Sequence, residues 1–460
     1  MKKTVVINVV GLSSRLIGEH TPFLEKWSKD ATLKPIQPTL PAVTCSAQST
    51  YLTGKWPSEH GIVANGWYFK DEHEIKFWRQ SNTLVQADKL WDELKRQDSS
   101  FTCANLFWWY NMYSNANYAV TPRPNYLADG RKLPDIYSQP ADLRDELQQK
   151  LGTFPLFDFW GPKTSIKSSQ WIADSAFITD QLYNPTLTLI YLPHLDYNLQ
   201  RHGLDMSIIK KDLREIDKVV EQVVEYYEKQ NAQVVILSEY GITDVSRPVH
   251  LNRVLREHGL LSVREERGLE LLDAGISIAF AVADHQLAHI YVNSPDHIET
   301  VKSLLESIPG VEQVLQGDAI KDAHLDHERS GDLIAVADKD SWFTYYFWLD
   351  DAKAPDYARM VDIHKKPGYD PVEMHLNPDI KMLTLKILWT LLKKKIGFRT
   401  VMDVIPLDAT LIKGSHGRIP EDPQDFPVFI CKSPLLTQHA HLIATDVYPN
   451  LKNLITKPKD

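Results

Sequence analysis

Three short runs of nearly unbroken apolar residues constrain this chain more than any other feature: Thr4–Val10 (TVVINVV), Thr186–Leu192 (TLTLIYL) and Gln233–Leu237 (QVVIL). An alternating strand has one wet face, whereas a continuous apolar run needs cover on both. Helical patterns supply that cover. One opens at Thr21-Pro22, with proline at its first position, and runs to Lys29; others span Val85–Arg96, Ser168–Leu182 and Ser207–Gln230. Phe101–Phe107 adds a further strand. This alternation predicts an α/β fold of three layers, a mostly parallel sheet with helices on both faces. Ligands of such sheets bind beyond the carboxyl ends of the strands.

The 460 residues fit one large domain over 1–460, with an aromatic-rich insertion at 108–165 and a second insertion, a cap, at 245–412. The segment from Trp108 to Trp160 has little periodicity and reads as loop-rich, and Ala352–Pro371 reads as a long loop. Lys381–Gly397 (KMLTLKILWTLLKKKIG) predicts a core-facing helix with lysines over its C-terminal end; the alternative is an apolar face on a membrane surface. Fifty-one basic against 60 acidic side chains, a net charge of −9, argue against binding a nucleic-acid polymer. Three widely spaced cysteines suit a reducing compartment. The opening MKKTVVINVVGL reads as a buried strand and not as a signal or transmembrane segment, so the expectation is cytoplasmic residence.

Polar residues gather where strands end. Thr44 follows Pro38 and Pro41 and precedes the helical pattern CSAQSTYLT, which it would cap; a hydroxyl at a helix N-terminus sits where a phosphate binds readily and is a candidate nucleophile toward phosphorus. Asp196, Gln200 and His202 follow the second apolar run, Glu239 follows the third, and His416 lies in the glycine-flanked loop GSHG. Carboxylates with imidazole suit a hard or borderline cation, which would lower the pKa of a nearby hydroxyl.

In this order the motifs resemble the alkaline phosphatase superfamily, and within it the type I phosphodiesterase/nucleotide pyrophosphatase branch. Thr53–Asn65 resembles T-G-x-x-P-x-x-H-G-I-x-x-N, Asp196–Gly203 resembles D-x-x-G-H-x-x-G, Ser238–Ile242 resembles S-D-H-G-M, His416 falls on the histidine of G-x-H-G, and Glu328–Asp338 resembles a late strand of the family. The resemblance implies an alkaline-phosphatase-like core and a metal-dependent phosphohydrolase. Thr44 would be the nucleophile, Asp196 and His416 the ligands of one ion, and Glu239 a ligand of the other. The ions would be zinc, with manganese as the alternative, and one or two in number.

Four positions depart from the family pattern. Val10 stands for an aspartate, Tyr240 and Gln200 for histidines, and Ala47 for an asparagine. Candidates to refill the ligand set are His202 and the pair Asp362 and His364, with His250, His285, His289, His324 and His327 also available. Asn65 and Arg329 are candidates for contact with substrate. The blocks FWWYNMY (107–113) and FPLFDFWGPK (154–163) read as packing elements partly open to substrate. The expected substrate is a phosphorylated small molecule carrying a phosphodiester or pyrophosphate. The alternatives are a catalytically degenerate binding protein on the same fold and a phosphoryl-type transferase.

Overall fold

A computed structural model describes residues 1–436 and 439–456. Its central sheet has nine strands: Thr4–Val9 (β1), Thr32–Gln37 (β2), Cys103–Leu106 (β3), Tyr118–Pro122 (β4), Ile136–Gln139 (β5), Leu187–Leu192 (β6), Gln233–Leu237 (β7), Val428–Cys431 (β8) and Leu442–Ile443 (β9). Their order is β9-β2-β8-β7-β1-β6-β3-β4-β5. The middle five, β7 to β4, are mutually parallel, while β5 and β8 join antiparallel. Every residue of β1, β6 and β7 is buried, as a continuous apolar run requires.

The covering helices are Pro22–Lys29 (α1), Thr44–Thr53 (α2), Leu90–Gln97 (α3), Ile166–Tyr183 (α4), His194–His202 (α5) and Met206–Glu228 (α6). Proline opens α1, and the freed amides of Phe23 and Leu24 donate to the buried Asp217 carboxylate of α6 at 2.8 and 2.9 Å, so one helix caps another. Helix α3 starts five residues later than its periodicity predicts. Lys89 precedes it in an extended conformation, donates its amide to Asp92, and buries its ammonium against the Tyr110 carbonyl.

Two expectations are corrected here. The aromatic segment after Trp108 is not merely loop: it contributes β4 and β5 and a ten-residue helix, Asp142–Leu151. Its strands are short and lie at the sheet edge, so they leave little periodic signal. The helix Leu383–Lys395 (α7) is not core-facing along its apolar residues: only Thr390 is buried, and Leu385, Leu388, Trp389, Leu391 and Leu392 are about half exposed.

A second core, which joins Tyr68 and Phe77 to residues between Val245 and Ile412, packs around a four-stranded antiparallel sheet: Ala279–Asp284, Leu287–Val292, Leu333–Ala337 and Val311–Leu315, in that spatial order. The hairpin between its first two strands reaches back to the carboxyl ends of β1, β6 and β7. No helix among the described residues is long and apolar enough to cross a membrane.

Candidate functional site

Thr44 does not cap α2, as its sequence position predicts. Val43 holds the cap position in an extended conformation, and Thr44 is the first helical residue. Thr44 Oγ1 lies 3.3 Å from Tyr240 Oη, which donates to Asp196 Oδ1 at 3.0 Å. Asp196 Oδ2 accepts from Gln200 Nε2 at 2.8 Å, one turn along α5, and Gln200 Oε1 in turn accepts from Tyr369 Oη at 2.9 Å. Five side chains, from α2, α5, the end of β7 and the segment around Tyr369, thus form one hydrogen-bonded chain.

Parallel register places the second carboxylate. Asn8 pairs with Leu237, two residues before Glu239, and its amide donates to Glu239 Oε1 at 2.5 Å. Gln48, one turn into α2, also donates to Oε1, and its own oxygen accepts the Trp109 amide at 2.7 Å. Glu239 Oε2 is buried without a hydrogen-bond partner. Burial dominates both carboxyls: it raises Asp196 to about 6 and Glu239 to about 8.

His416 reaches the site because its loop tolerates close approach. A Cβ on Gly414 would stand 2.1 Å from the Leu199 carbonyl of α5, and Gly417 has φ +118°. The loop is stitched down by Lys413 N–H to the Gln200 carbonyl, 3.0 Å, and by the Ala42 amide donating to the Gly417 carbonyl, 2.9 Å. His416 Nδ1 donates to the Ala42 carbonyl at 2.7 Å, leaving Nε2 with its lone pair 4.0 Å from Asp196 Oδ1. Its ring stacks on Tyr240, 3.6 Å between centroids and 6° from parallel. Burial holds His416 and His285 well below the ordinary imidazole range.

His285 sits at the tip of the cap hairpin with φ +62°, its ring 3.7 Å from both His416 and Tyr369, and its Nδ1 2.7 Å from Asp284 Oδ1. Asp284 accepts the Asn65 amide at 2.8 Å and Asn65 Nδ2 at 3.1 Å, while Asn65 Oδ1 accepts the Cys45 amide at 3.0 Å. Asn65 therefore links the α2 N-terminus to the cap. Trp160, from the second aromatic block, and Trp78, which precedes the insertion, flank Tyr369 at 5.8 and 6.1 Å.

Other candidates from the sequence lie elsewhere. Asp362 pairs with Lys365, and its amide donates to Glu373. His364 is bonded to the Phe77 backbone. His202 is half-buried at the last turn of α5, where Arg201 lowers it further after burial. Arg329 donates to the Gly61 and Leu84 carbonyls, both at 2.7 Å, and stacks over Trp67. Of the candidate refilling histidines only His285 joins the Thr44 cluster. Asn8, Gln48, Asp284 and Tyr369 were missed. For Asn8 a signal existed: an amide side chain inside an otherwise apolar strand needs a buried partner.

The paired-ion ligand set does not fit these residues. Val10 is fully buried and has no donor atom. Tyr240 and Gln200 each donate to one Asp196 oxygen in place of histidine ligands, and the hydrogens of Asn8 and Gln48 fill Glu239 Oε1. Tyr240 Oη stands between the nucleophile candidate and Asp196. Among the described residues, the one place where three potential ligand atoms gather within 4.8 Å is His194, Asp212 and Glu215, between α5 and α6. There His194 Nε2 lies 3.3 Å from each carboxylate.

The model of type I phosphodiesterase/nucleotide pyrophosphatase matches residues 4–370, most of the chain. The chain is 24% identical over 264 residues to ectonucleotide pyrophosphatase/phosphodiesterase 2 of Saccharomyces cerevisiae, covering 53% of this chain and 48% of that protein. It is 24% identical over 280 residues to ectonucleotide pyrophosphatase/phosphodiesterase 1 of the same yeast, covering 53% of this chain and 34% of that protein. The chain thus spans half or less of the length of these curated relatives. In fold it is similar to murine ectonucleotide pyrophosphatase/phosphodiesterase 5, with TM-score 0.57 and 14% identity over 100% of this chain and 97% of that one. It is likewise similar to phosphonoacetate hydrolase from Sinorhizobium meliloti, with TM-score 0.61 and 13% identity over 99% and 96%. The architecture is the alkaline-phosphatase-like α/β fold. By the match over residues 4–370, the chain belongs to the type I phosphodiesterase/nucleotide pyrophosphatase family, a family of metal-dependent hydrolases.

Proposed function

We propose that this chain hydrolyses a phosphoric ester or anhydride of a small molecule, with Thr44 attacking phosphorus and Asp196 taking its proton through Tyr240. The observation that carries the reading is the hydrogen-bonded sequence Thr44 Oγ1, Tyr240 Oη, Asp196 Oδ1, with steps of 3.3 and 3.0 Å. Tyr240 gives its hydrogen to Asp196, so Thr44 donates to Tyr240. As the Thr44 oxygen–phosphorus bond forms, the bond to the leaving group breaks. The Thr44 proton moves to Tyr240 Oη, and the Tyr240 proton to Asp196. The leaving group is protonated by solvent. Water then attacks phosphorus and gives a proton to solvent, the Thr44–phosphorus bond breaks, and the proton on Asp196 returns by the same path.

Glu239 supplies a donor in place of a positive charge. Raised to about 8 by burial, it is protonated at neutral pH. Asn8 and Gln48 fill Oε1, so Oε2 carries the proton toward a phosphoryl oxygen. The family's divalent ion, zinc or manganese, has only Asp196 and His416 left of its expected ligands, two where a zinc site takes three or four. No step of the proposal passes through it. A nucleotide-like substrate is supported by the murine neighbour, one of whose structures is of an inactive variant in complex with AMP. Cytoplasmic residence belongs to the same proposal and rests on three buried, unpaired cysteines.

A second reading, binding without turnover, is favoured by closure of the site: Thr44 is 3% exposed and Tyr240 2%. Hydrolysis of bis(p-nitrophenyl) phosphate by wild type and Thr44→Ala, with mass spectrometry for a phosphorylated Thr44 peptide, separates the two. Turnover that survives Thr44→Ala, or no turnover of any phosphoester, would sink the enzyme reading as stated.

A further inference from the structure

Helix α7 turns one apolar face to its own domain and a second to solvent. Leu383 and Ile387 pack against the second core, and Thr390 is buried. On the opposite side Leu385, Leu388, Trp389, Leu392 and Ile396 recur at i, i+3, i+4, i+7 and i+11, the spacing of a single helical stripe. They are 54, 57, 57, 48 and 62% exposed, and Phe398 just beyond the helix is 63% exposed. Isolated apolar side chains on a surface need no explanation, but a contiguous stripe of this kind marks an interaction site.

The charges around the stripe identify the partner. From Lys381 to Thr400 the chain carries Lys381, Lys386, three consecutive lysines at 393–395, and Arg399, with no acidic residue, although the whole chain has net charge −9. Lys386 is paired with Asp403, and Arg399 donates to the Ala128 carbonyl. Of the lysine triplet, Lys394 falls on the domain-facing side, one turn after Thr390, whereas Lys393, over the Trp389 ring at 5.3 Å, and Lys395 flank the apolar stripe at the end of the helix. A second copy of the same face would bring two such basic clusters together, which opposes self-association. A polyanionic, apolar-backed partner satisfies both the stripe and the charge.

We propose that α7 is an interfacial helix that lays its outer stripe into a membrane surface rich in anionic phospholipid, with Lys393 and Lys395 among the headgroups. Apolar burial and headgroup attraction combine in such helices, and the chain rests on the bilayer without spanning it.

The test is co-sedimentation of the full chain with phosphatidylcholine vesicles, with and without phosphatidylglycerol. Strong binding is expected only to the anionic vesicles and should weaken with salt. Leu388→Glu with Trp389→Glu should abolish it while leaving the melting temperature unchanged, because both positions are exposed. Changing Lys393 and Lys395 to Gln should weaken it on the order of 30-fold. No sedimentation with anionic vesicles, or sedimentation indifferent to the double Glu variant, overturns the proposal. So does a concentration-dependent dimer by light scattering that Leu388→Glu dissociates without any vesicle binding.

Discussion

Tyr240 lies parallel to His416, ring on ring at 3.6 Å, while its hydroxyl bridges Thr44 and Asp196 at 3.3 and 3.0 Å. The family pattern has a histidine at this position, and here a phenol does the joining. Tyr240→Phe keeps the stacked ring and removes the bridge. Turnover should fall by about 10²–10⁴, the usual contribution of one positioned proton-transfer group, with little change in KM. A variant that retains wild-type kcat would exclude the relay.

The two buried carboxyls predict a bell-shaped pH dependence. Asp196 must be ionised to accept a proton, so kcat/KM should rise through about pH 6. Glu239 must be protonated to donate, so it should fall through about pH 8. Glu239→Gln should remove the alkaline limb, and Asp196→Asn should abolish turnover across the range. Steady-state profiles of the three proteins decide it.

The same burial has a stability signature of definite sign. Glu239 is raised above its unfolded value, so the unfolded chain releases this proton first and stability declines as pH rises from about 4.5 to about 8. The full cost, on the order of a few kcal/mol, is present above that window. Glu239→Gln keeps an oxygen for Asn8 and Gln48 and removes the ionisation. It should melt above wild type at pH 9 and near it at pH 5. Equal melting temperatures at pH 9 would show that the Glu239 carboxylate is not destabilised by its surroundings.

Chelation gives a further test. With Tyr240 and Gln200 standing where histidine ligands are expected and Glu239 Oε1 filled by Asn8 and Gln48, exhaustive dialysis against EDTA should leave Thr44-dependent turnover within about twofold of its starting value, if the relay operates without an ion. Turnover lost on dialysis and restored by zinc or manganese would replace the relay with an ion held by Asp196 and His416.

Gly414 tests the loop that delivers His416. A Cβ there would stand 2.1 Å from the Leu199 carbonyl, a backbone atom that cannot swing aside, so Gly414→Ala should cost about 1–3 kcal/mol. Gly18, with nothing within 4 Å of its notional Cβ, is the control. Gly18→Ala should change thermal unfolding little.

What the sequence determined by itself was the layer architecture and most of the cast. Continuous apolar runs can only be strands buried on both faces, so β1, β6 and β7 and the parallel sheet were legible, and with them the strand ends where Asp196 and Glu239 lie. The helix boundaries were less so. Val85–Lys89 has helical composition but stays outside the helix, with Lys89 extended and drawn inward to the Tyr110 carbonyl.

Only the tertiary structure decided the chemistry of the site. Whether Thr44 caps its helix or begins it depends on how the proline-bounded approach meets α2. That Tyr240 and Gln200 satisfy Asp196, and that Asn8 and Gln48 satisfy Glu239, depends on strand register and helix phase between residues up to 231 positions apart. The outward face of α7 was hidden for a related reason. Its apolar residues occupy more than one side of the helix, so periodicity alone could not tell which side the core would take.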